Sequence, residues 1–322
     1  MKILQKFVVI TAWALLSIAS FAFPLKPITM VVPYAPGGST DVLARLLAEA
    51  MARDLGQAVV VENLGGAGGT IGTAKVVRAP NDGHTVLLHN MGIAIAPALY
   101  PKLSFDVTKD LEPITLAGDV PMILVRHPRF APSTLVELIK FMRAKPGEMK
   151  FAHAGVGATS HLCAVLFLQA TNTSATLVPY RGTGPALIDL LAGSVDVICD
   201  QPVSTNQYIQ SGSLKPYAVA TRDRLVILPS VPTFQESGLP GFQLSVWHGL
   251  FAPKGTPPAV VERLNKAMRS TLADPAIMKR FSEMGVILPV GDRLRAAALQ
   301  SQLASEINNW GQVLATAGAK IE

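Results

Sequence analysis

The sequence predicts an α/β protein of two lobes with a cleft between them, and three observations lead there. Short apolar, β-branched runs alternate with longer stretches of helical period. The runs recur at roughly thirty-residue spacing with helices between them, as parallel βαβ units require. The alternation stops after the third run and restarts further along the chain, so two sheets are expected. A length of 322 residues accommodates both, being about twice a typical domain.

Ile28–Val32 reads as a buried strand, followed by the turn-rich loop Pro33–Gly38. A helix runs from about Thr40, with Leu43, Leu46, Leu47, Ala50 and Met51 on one face and Gly56 as its stop. A strand at Ala58–Val61, a glycine-rich loop at Gly65–Gly72, a helix at Thr73–Arg78 and a strand at Thr85–Leu88 come next. The second set opens with a strand at Met122–Val125 and a helix whose capping box is Thr134 with Glu137. Strands at Met149–Ala152, Thr176–Val178, Val195–Ile198 and Tyr217–Ala220 follow, with helices between. Thr256-Pro257-Pro258 starts a helix with Val261, Leu264, Met268 and Leu272 inward, and Leu303, Ile307, Trp310 and Leu314 stripe the last one.

Composition narrows the function. Hydrophobic residues make up 49% and charged residues 16% of the chain, which excludes disordered and coiled-coil classes. The formal charge of +6 comes without any Lys/Arg run that would track a phosphate backbone, so no nucleic-acid partner is expected. At the N-terminus, Lys2 and Lys6 precede the uncharged apolar stretch Phe7–Ala19, and Ser20-Phe21-Ala22 has the small residues of a cleavage site. Residues 1–22 therefore read as a signal peptide, removed after Ala22 on export to the periplasm. The apolar stretch is shorter than the ~20 residues that span a bilayer. Cys163 and Cys199 lie 36 residues apart and match no metal spacing; a disulfide and two buried thiols are both open.

The strongest candidate site is the loop Pro33-Tyr34-Ala35-Pro36-Gly37-Gly38-Ser39-Thr40-Asp41. It sits at the carboxyl end of a strand, where open α/β sheets bind ligands. Its glycines allow close backbone approach, and the helix behind it presents unpaired N–H groups and a positive dipole end to an anion. Asp41 stabilises that dipole but repels an anion unless a water or a ligand amine intervenes. The loop Ala154-Gly155-Val156-Gly157-Ala158-Thr159-Ser160-His161 repeats the design in the second half. Two such cradles suit a ligand with more than one carboxylate. The bland account of each is a capped helix start after a Gly turn, and His161 reads as a structural histidine.

Arg181, in the loop Pro179–Pro185, is a candidate anion contact, and a solvent-exposed arginine is the alternative. Asp200, just past a strand, is placed to enter the cleft, and Trp247 beside His248 to form an apolar wall on a crossing strand. His89 and Asn90, following the third strand, complete the candidate ligand contacts. The Gly65–Gly72 loop is not a dinucleotide fingerprint: its best match, Ala67-x-Gly69-x-x-Gly72, lacks the first glycine and follows the second strand. Close packing at the cleft wall accounts for it better. The sequence has no G-x-S-x-G, no H-E-x-x-H and no metal-ligand spacing among its six histidines. Neither a cofactor nor a metal is expected.

Taken together, Lys26-Pro27-Ile28 with Val31–Asp41 resembles the opening of the solute-binding proteins of tripartite tricarboxylate transporters, the Bug or TctC family. The resemblance continues through Val61-Glu62-Asn63, Gly66–Gly69, Ala79-Pro80-Asn81-Asp82-Gly83, Gly155-Val156-Gly157 with Ser160-His161-Leu162, Val178–Gly182, Val231-Pro232-Thr233 and Ala252–Pro257. It implies a two-lobed periplasmic-binding-protein fold, type II-like, each lobe a mostly parallel sheet flanked by helices. Domain I is expected at 23–116 plus 251–322 and domain II at 117–250.

The resemblance also implies a job. By that resemblance the protein would capture a small carboxylate, a di- or tricarboxylate or related acid, and deliver it as a monomer to a membrane permease, without catalysis. Tyr34–Asp41 would hold one carboxylate through backbone groups and waters, and Gly155–Ser160 the ligand's other end. Two departures from the family pattern, His248 beside the tryptophan and Asp200-Gln201-Pro202 in place of an Asp-Asn pair, lie where ligand choice is set. Competing readings are a ligand-dependent partner of a sensor kinase, or an exported enzyme using Asp41, His161 or Asp200 as acid or base.

Overall fold

The computed structural model describes residues 23–316, so the expected signal peptide lies outside the described residues. The chain forms two five-stranded sheets, each covered by helices.

In the first sheet, β1 (Ile28–Val32) lies between β2 (Val59–Asn63) and β3 (Thr85–Asn90), parallel to both. β10 (Ser245–Pro253) runs antiparallel between β3 and β4 (Leu111–Pro121). The second sheet repeats the plan, with β6 (Lys150–His153) parallel to β7 (Thr176–Pro179) and β8 (Val197–Asp200), and β5 (Ile123–Arg126) antiparallel between β8 and β9 (Lys215–Val219). Four strands of each sheet thus share a direction and one opposes them, which makes both sheets mixed. β1 is an apolar run buried at nearly every position, as a central strand covered on both faces must be, whereas the edge strand β2 is half exposed.

Helices follow where the period expects them, with shifted ends. α1 (Ser39–Leu55) stops at Gly56 in the left-handed conformation, whose N–H returns to the Ala52 carbonyl. α2 (Thr70–Val77) and α3 (Gly92–Leu99) flank β3; α3, an almost uninterrupted apolar stretch without amphipathic period, has no counterpart in the sequence reading. α4 (Leu135–Ala144) starts on the expected cap: Thr134 Oγ1 accepts from the Glu137 N–H at 3.2 Å. The Glu137 carboxylate turns back to the N–H and hydroxyl of Ser133, one residue earlier than a capping box would have it. α5 (Thr159–Thr171), α6 (Thr183–Ala192) and α7 (Pro202–Gln210) complete the second lobe. α8 (Pro258–Ala273), α9 (Pro275–Glu283) and α10 (Ala296–Thr316) return to the first, α10 packing on α3 and β4.

The chain passes between the sheets at Met122 and again at Leu244, where the Met122 N–H donates to the Leu244 carbonyl at 3.0 Å. Ala220 ties the two passages together, donating to Met122 and accepting from Leu244. The expected boundaries at 116/117 and 250/251 fall inside β4 and β10, which remain paired as far as Ser245 and Pro121. Cys163 of α5 and Cys199 of β8 form a disulfide, which closes the question that spacing left open.

Candidate functional site

Four helices begin at one place between the lobes. A polar cavity there is lined by Tyr34, Gly38, Ser39, Thr40 and Asn90 from the first lobe and by Ala154, Ala158, Thr159, Thr183, Asp200 and Gln201 from the second. Gly38, Ala158, Gly182 and Gln201 are the N-caps of α1, α5, α6 and α7, and none supplies a side-chain cap. No side chain covers these helix starts, and their four positive dipole ends converge on the cavity. Such a cradle binds anions. The cavity measures about 20 Å³, room for roughly one water.

The lobes meet directly around the cavity. Ser39 and Ser204 place their hydroxyls 2.9 Å apart, the Ala35 N–H donates to the Arg181 carbonyl at 2.8 Å, and the Tyr100 hydroxyl to the Val156 carbonyl at 2.8 Å. Glycine makes this contact possible. A Cβ on Gly184 would lie 2.0 Å from the Pro36 oxygen, and one on Gly68 2.1 Å from the Val156 oxygen. The Gly65–Gly72 loop is therefore packed at the cleft wall, as expected.

Asp200, the last residue of β8, is 2% exposed. Burial pushes its carboxyl up to about 6, against hydrogen bonds from Ser204, the Gln201 backbone, Thr183 and Ser39 that favour the charged form. Ser204 Oγ donates to its Oδ2 at 2.6 Å, and Ser39 Oγ reaches its Oδ1 at 3.5 Å. Tyr34 donates to Asn90 Oδ1 at 3.1 Å, while Asn90 Nδ2 donates to Thr40 Oγ1 at 3.1 Å, so these three side chains are locked together. Behind Thr40 stands His248, fully buried, its Nε2 3.4 Å from Thr40 Oγ1. Burial lowers its pKa to about 3, so the ring is neutral.

Of the candidate residues, Tyr34, Gly38, Ser39, Thr40, Asn90, Ala158, Thr159 and Asp200 line the cavity. Asp41 does not. Its carboxylate accepts from Gly37 N–H at 2.9 Å, Asn63 Nδ2 at 2.9 Å and Arg45 Nε at 3.1 Å. Burial alone would raise its pKa, but these bonds outweigh burial and hold it below the usual carboxylate value. Asp41 is a clamp on the loop.

Ser160 Oγ accepts from the Ala154 N–H at 2.8 Å and shapes the second loop rather than facing the cavity. Gly157 is turned toward Tyr100, whose ring a Cβ would approach to 3.1 Å. His89 stacks edge-on to Tyr34 at 5.6 Å, behind the wall. Ala35 and the exposed Arg181 border a separate, open depression with Tyr100 and Val156. Trp247 is core, 2% exposed, because β10 turns it into the apolar layer under α3 and α10 instead of toward the cleft.

Ser204 had no place in the sequence reading, and Ala154, Thr183 and Gln201 lay within motifs it singled out without being named as ligand contacts. Their signal was present: Thr183 follows a glycine at a helix start, and Gln201 precedes a proline at the first helical position.

Comparison with known proteins agrees with this geometry. The model of the tripartite tricarboxylate transporter family receptor, TctC, matches residues 43–318. The protein BugT of Bordetella pertussis is 37% identical over 316 residues, 97% of this chain and 95% of its own. The solved structure of the periplasmic binding protein BugD superposes with a TM-score of 0.90 at 42% identity, covering 93% of this chain and all of BugD. MatC from Rhodopseudomonas palustris, solved with bound malate, superposes at 0.87 with 38% identity, covering 91% of this chain and all of MatC.

Proposed function

The chain belongs to the tripartite tricarboxylate transporter receptor family, and on that premise we propose that it is exported, closes on a small organic carboxylate and hands it to the permease of such a transporter. One observation carries the ligand class: four uncapped helix N-termini, two loops of them glycine-lined, aim at one polar cavity. The malate held by MatC supports it.

Export proceeds with removal of residues 1–22, and Met122 and Leu244 mark the hinge between the lobes, which move as units. Closure removes water from the ligand, which strengthens each N–H bond to its carboxylate. The protein binds without altering its ligand. In support, Asp41 is fully engaged by Arg45, Gly37 and Asn63, and His161 packs against His153 with ring centroids 4.7 Å apart, outside the cavity lining.

Native mass spectrometry of protein purified without denaturation, followed by a melting-shift screen of organic acids, tests this. A bound ligand raises stability by RT ln(1 + [L]/Kd). A retained acid and a shift are expected; protein that ignores every acid offered, or that returns it chemically changed, overturns the reading.

A further inference from the structure

The cavity combines opposite preferences. Four helix N-termini draw an anion toward it, yet a buried carboxylate, Asp200, forms part of the same wall. Asp200 accepts from Ser204 Oγ at 2.6 Å, from the Gln201 backbone and from Thr183, while Ser39 Oγ reaches Oδ1 only at 3.5 Å, the limit of a hydrogen bond. The next residue, Gln201, is 2% exposed, lines the cavity, and its buried Oε1 finds no hydrogen-bond partner. A buried acceptor without a donor is costly, and an unpaired one at a ligand cavity is a place where a ligand donor is missing. Two acceptors among the residues of one wall do not fit a second carboxylate. They fit an O–H or N–H group.

We propose that the bound acid carries a hydroxyl or ammonium group next to its carboxylate, that this group donates to Asp200 and Gln201 Oε1, and that Asp200 thereby selects 2-hydroxy and 2-amino acids over unsubstituted ones. The carboxylate sits at the helix N-termini and the donor turns toward the acceptors. The inference rests on the carboxylate-binding reading above. A site built to receive a donor rejects the analogue lacking it, because its buried acceptors are then left unpaired.

The test is calorimetric titration of the full mature protein at pH 8 with two matched trios: succinate, malate and aspartate; glutarate, 2-hydroxyglutarate and glutamate. In at least one trio a donor-bearing acid binds about tenfold or more tightly than its plain analogue. Asp200→Asn narrows that gap to about threefold or less. Gln201→Leu, which removes the second acceptor and leaves Asp200 in place, narrows it in the same direction and carries the test should Asp200→Asn melt early. Plain acids that bind the parent as tightly as substituted ones overturn this inference and leave the carboxylate reading standing. So does a gap that survives both substitutions. If none of the six acids binds the parent, the carboxylate reading fails for this class and the inference falls with it.

Discussion

Ser39, the first residue of α1, and Ser204, in the first turn of α7, hold their hydroxyl oxygens 2.9 Å apart across the two lobes, and both reach the carboxylate of Asp200. One buried acid is thus shared by a residue of each lobe. On the proposed closure, this contact would favour the state that retains ligand.

Ser204→Ala removes one side of that bridge. A net hydrogen bond of this kind is worth about 1 kcal/mol, so ligand affinity falls by about threefold to tenfold. A double-mutant cycle with Ser39→Ala measures the coupling; strictly additive losses would show that the bridge does not contribute to closure.

Gly184→Ala separates folding from closing. The atoms nearest its Cβ are the Pro36 carbonyl and the Gly37 backbone of the opposite lobe, at 2.0 Å and 3.2 Å. Alanine suits the helix better than glycine, by about 1 kcal/mol, so the ligand-free protein melts at or above the parent temperature. The ligand-induced melting shift is lost. A shift equal to the parent's would mean that these surfaces do not approach during binding.

Asp41→Ala leaves Gly37, Asn63 and Arg45 without their shared acceptor. A loss of about 2–3 kcal/mol in stability is expected, read from urea unfolding. The rank order of acids bound stays as in the parent, because Asp41 does not line the cavity. A changed order would return Asp41 to the ligand.

Acid destabilises the protein. Burial first of all lowers the pKa of His89 and His248 to about 3, and of His161 to about 4, from an unfolded value of 6.5. The unfolded chain binds these protons first, so the stability held by neutral rings is complete above 6.5 and drains as pH falls toward the folded values. Asp200 acts in reverse: with its carboxyl raised from 3.8 to about 6, its contribution is full below 3.8 and lost as pH rises through 6. Three histidines outweigh one acid, and melting temperature falls between pH 7 and 4.5. His161→Gln removes about 2 kcal/mol of that fall at pH 4.5; an unchanged profile would show that His161 is already protonated or open to water.

Reduction of Cys163–Cys199 frees a loop of 36 residues. Loop entropy gives about 3–4 kcal/mol for such a closure, so the reduced protein or Cys163→Ala/Cys199→Ala melts well below the oxidised form. Because the bridge joins the helix behind Thr159 to the strand that ends in Asp200, ligand affinity falls as well. Affinity unchanged on reduction would confine the bridge to stability.

Local chemistry made much of this protein legible from its sequence. Period, caps and glycine stops located most helices and strands to within a few residues, since those signals act over one or two turns of chain. The loops before Ser39 and Thr159 read as candidate anion cradles because glycine-bearing turns lead there into helix starts, a pattern that a capped helix start also fits. The antiparallel β10 and the long β4 were harder to read, since their pairing partners lie more than a hundred residues apart along the chain and leave no local mark.

What tertiary structure alone decided was direction and company. Asp41, in the first turn of α1, and Asp200, the last residue of β8, are both acids beside a loop at a strand's carboxyl end, and the sequence offers no means of ranking them; the fold surrounds Asp41 with three donors and turns Asp200 into the cavity. Trp247 went to the core, Arg181 to the outer rim, and Gln201, Thr183 and Ser204 to the site, because side-chain orientation depends on neighbours brought in from the other lobe. Sequence therefore located two loops suited to an anion, through backbone N–H groups that any residue carries. Which side chains complete the site followed from the closing of two surfaces that are distant in the chain.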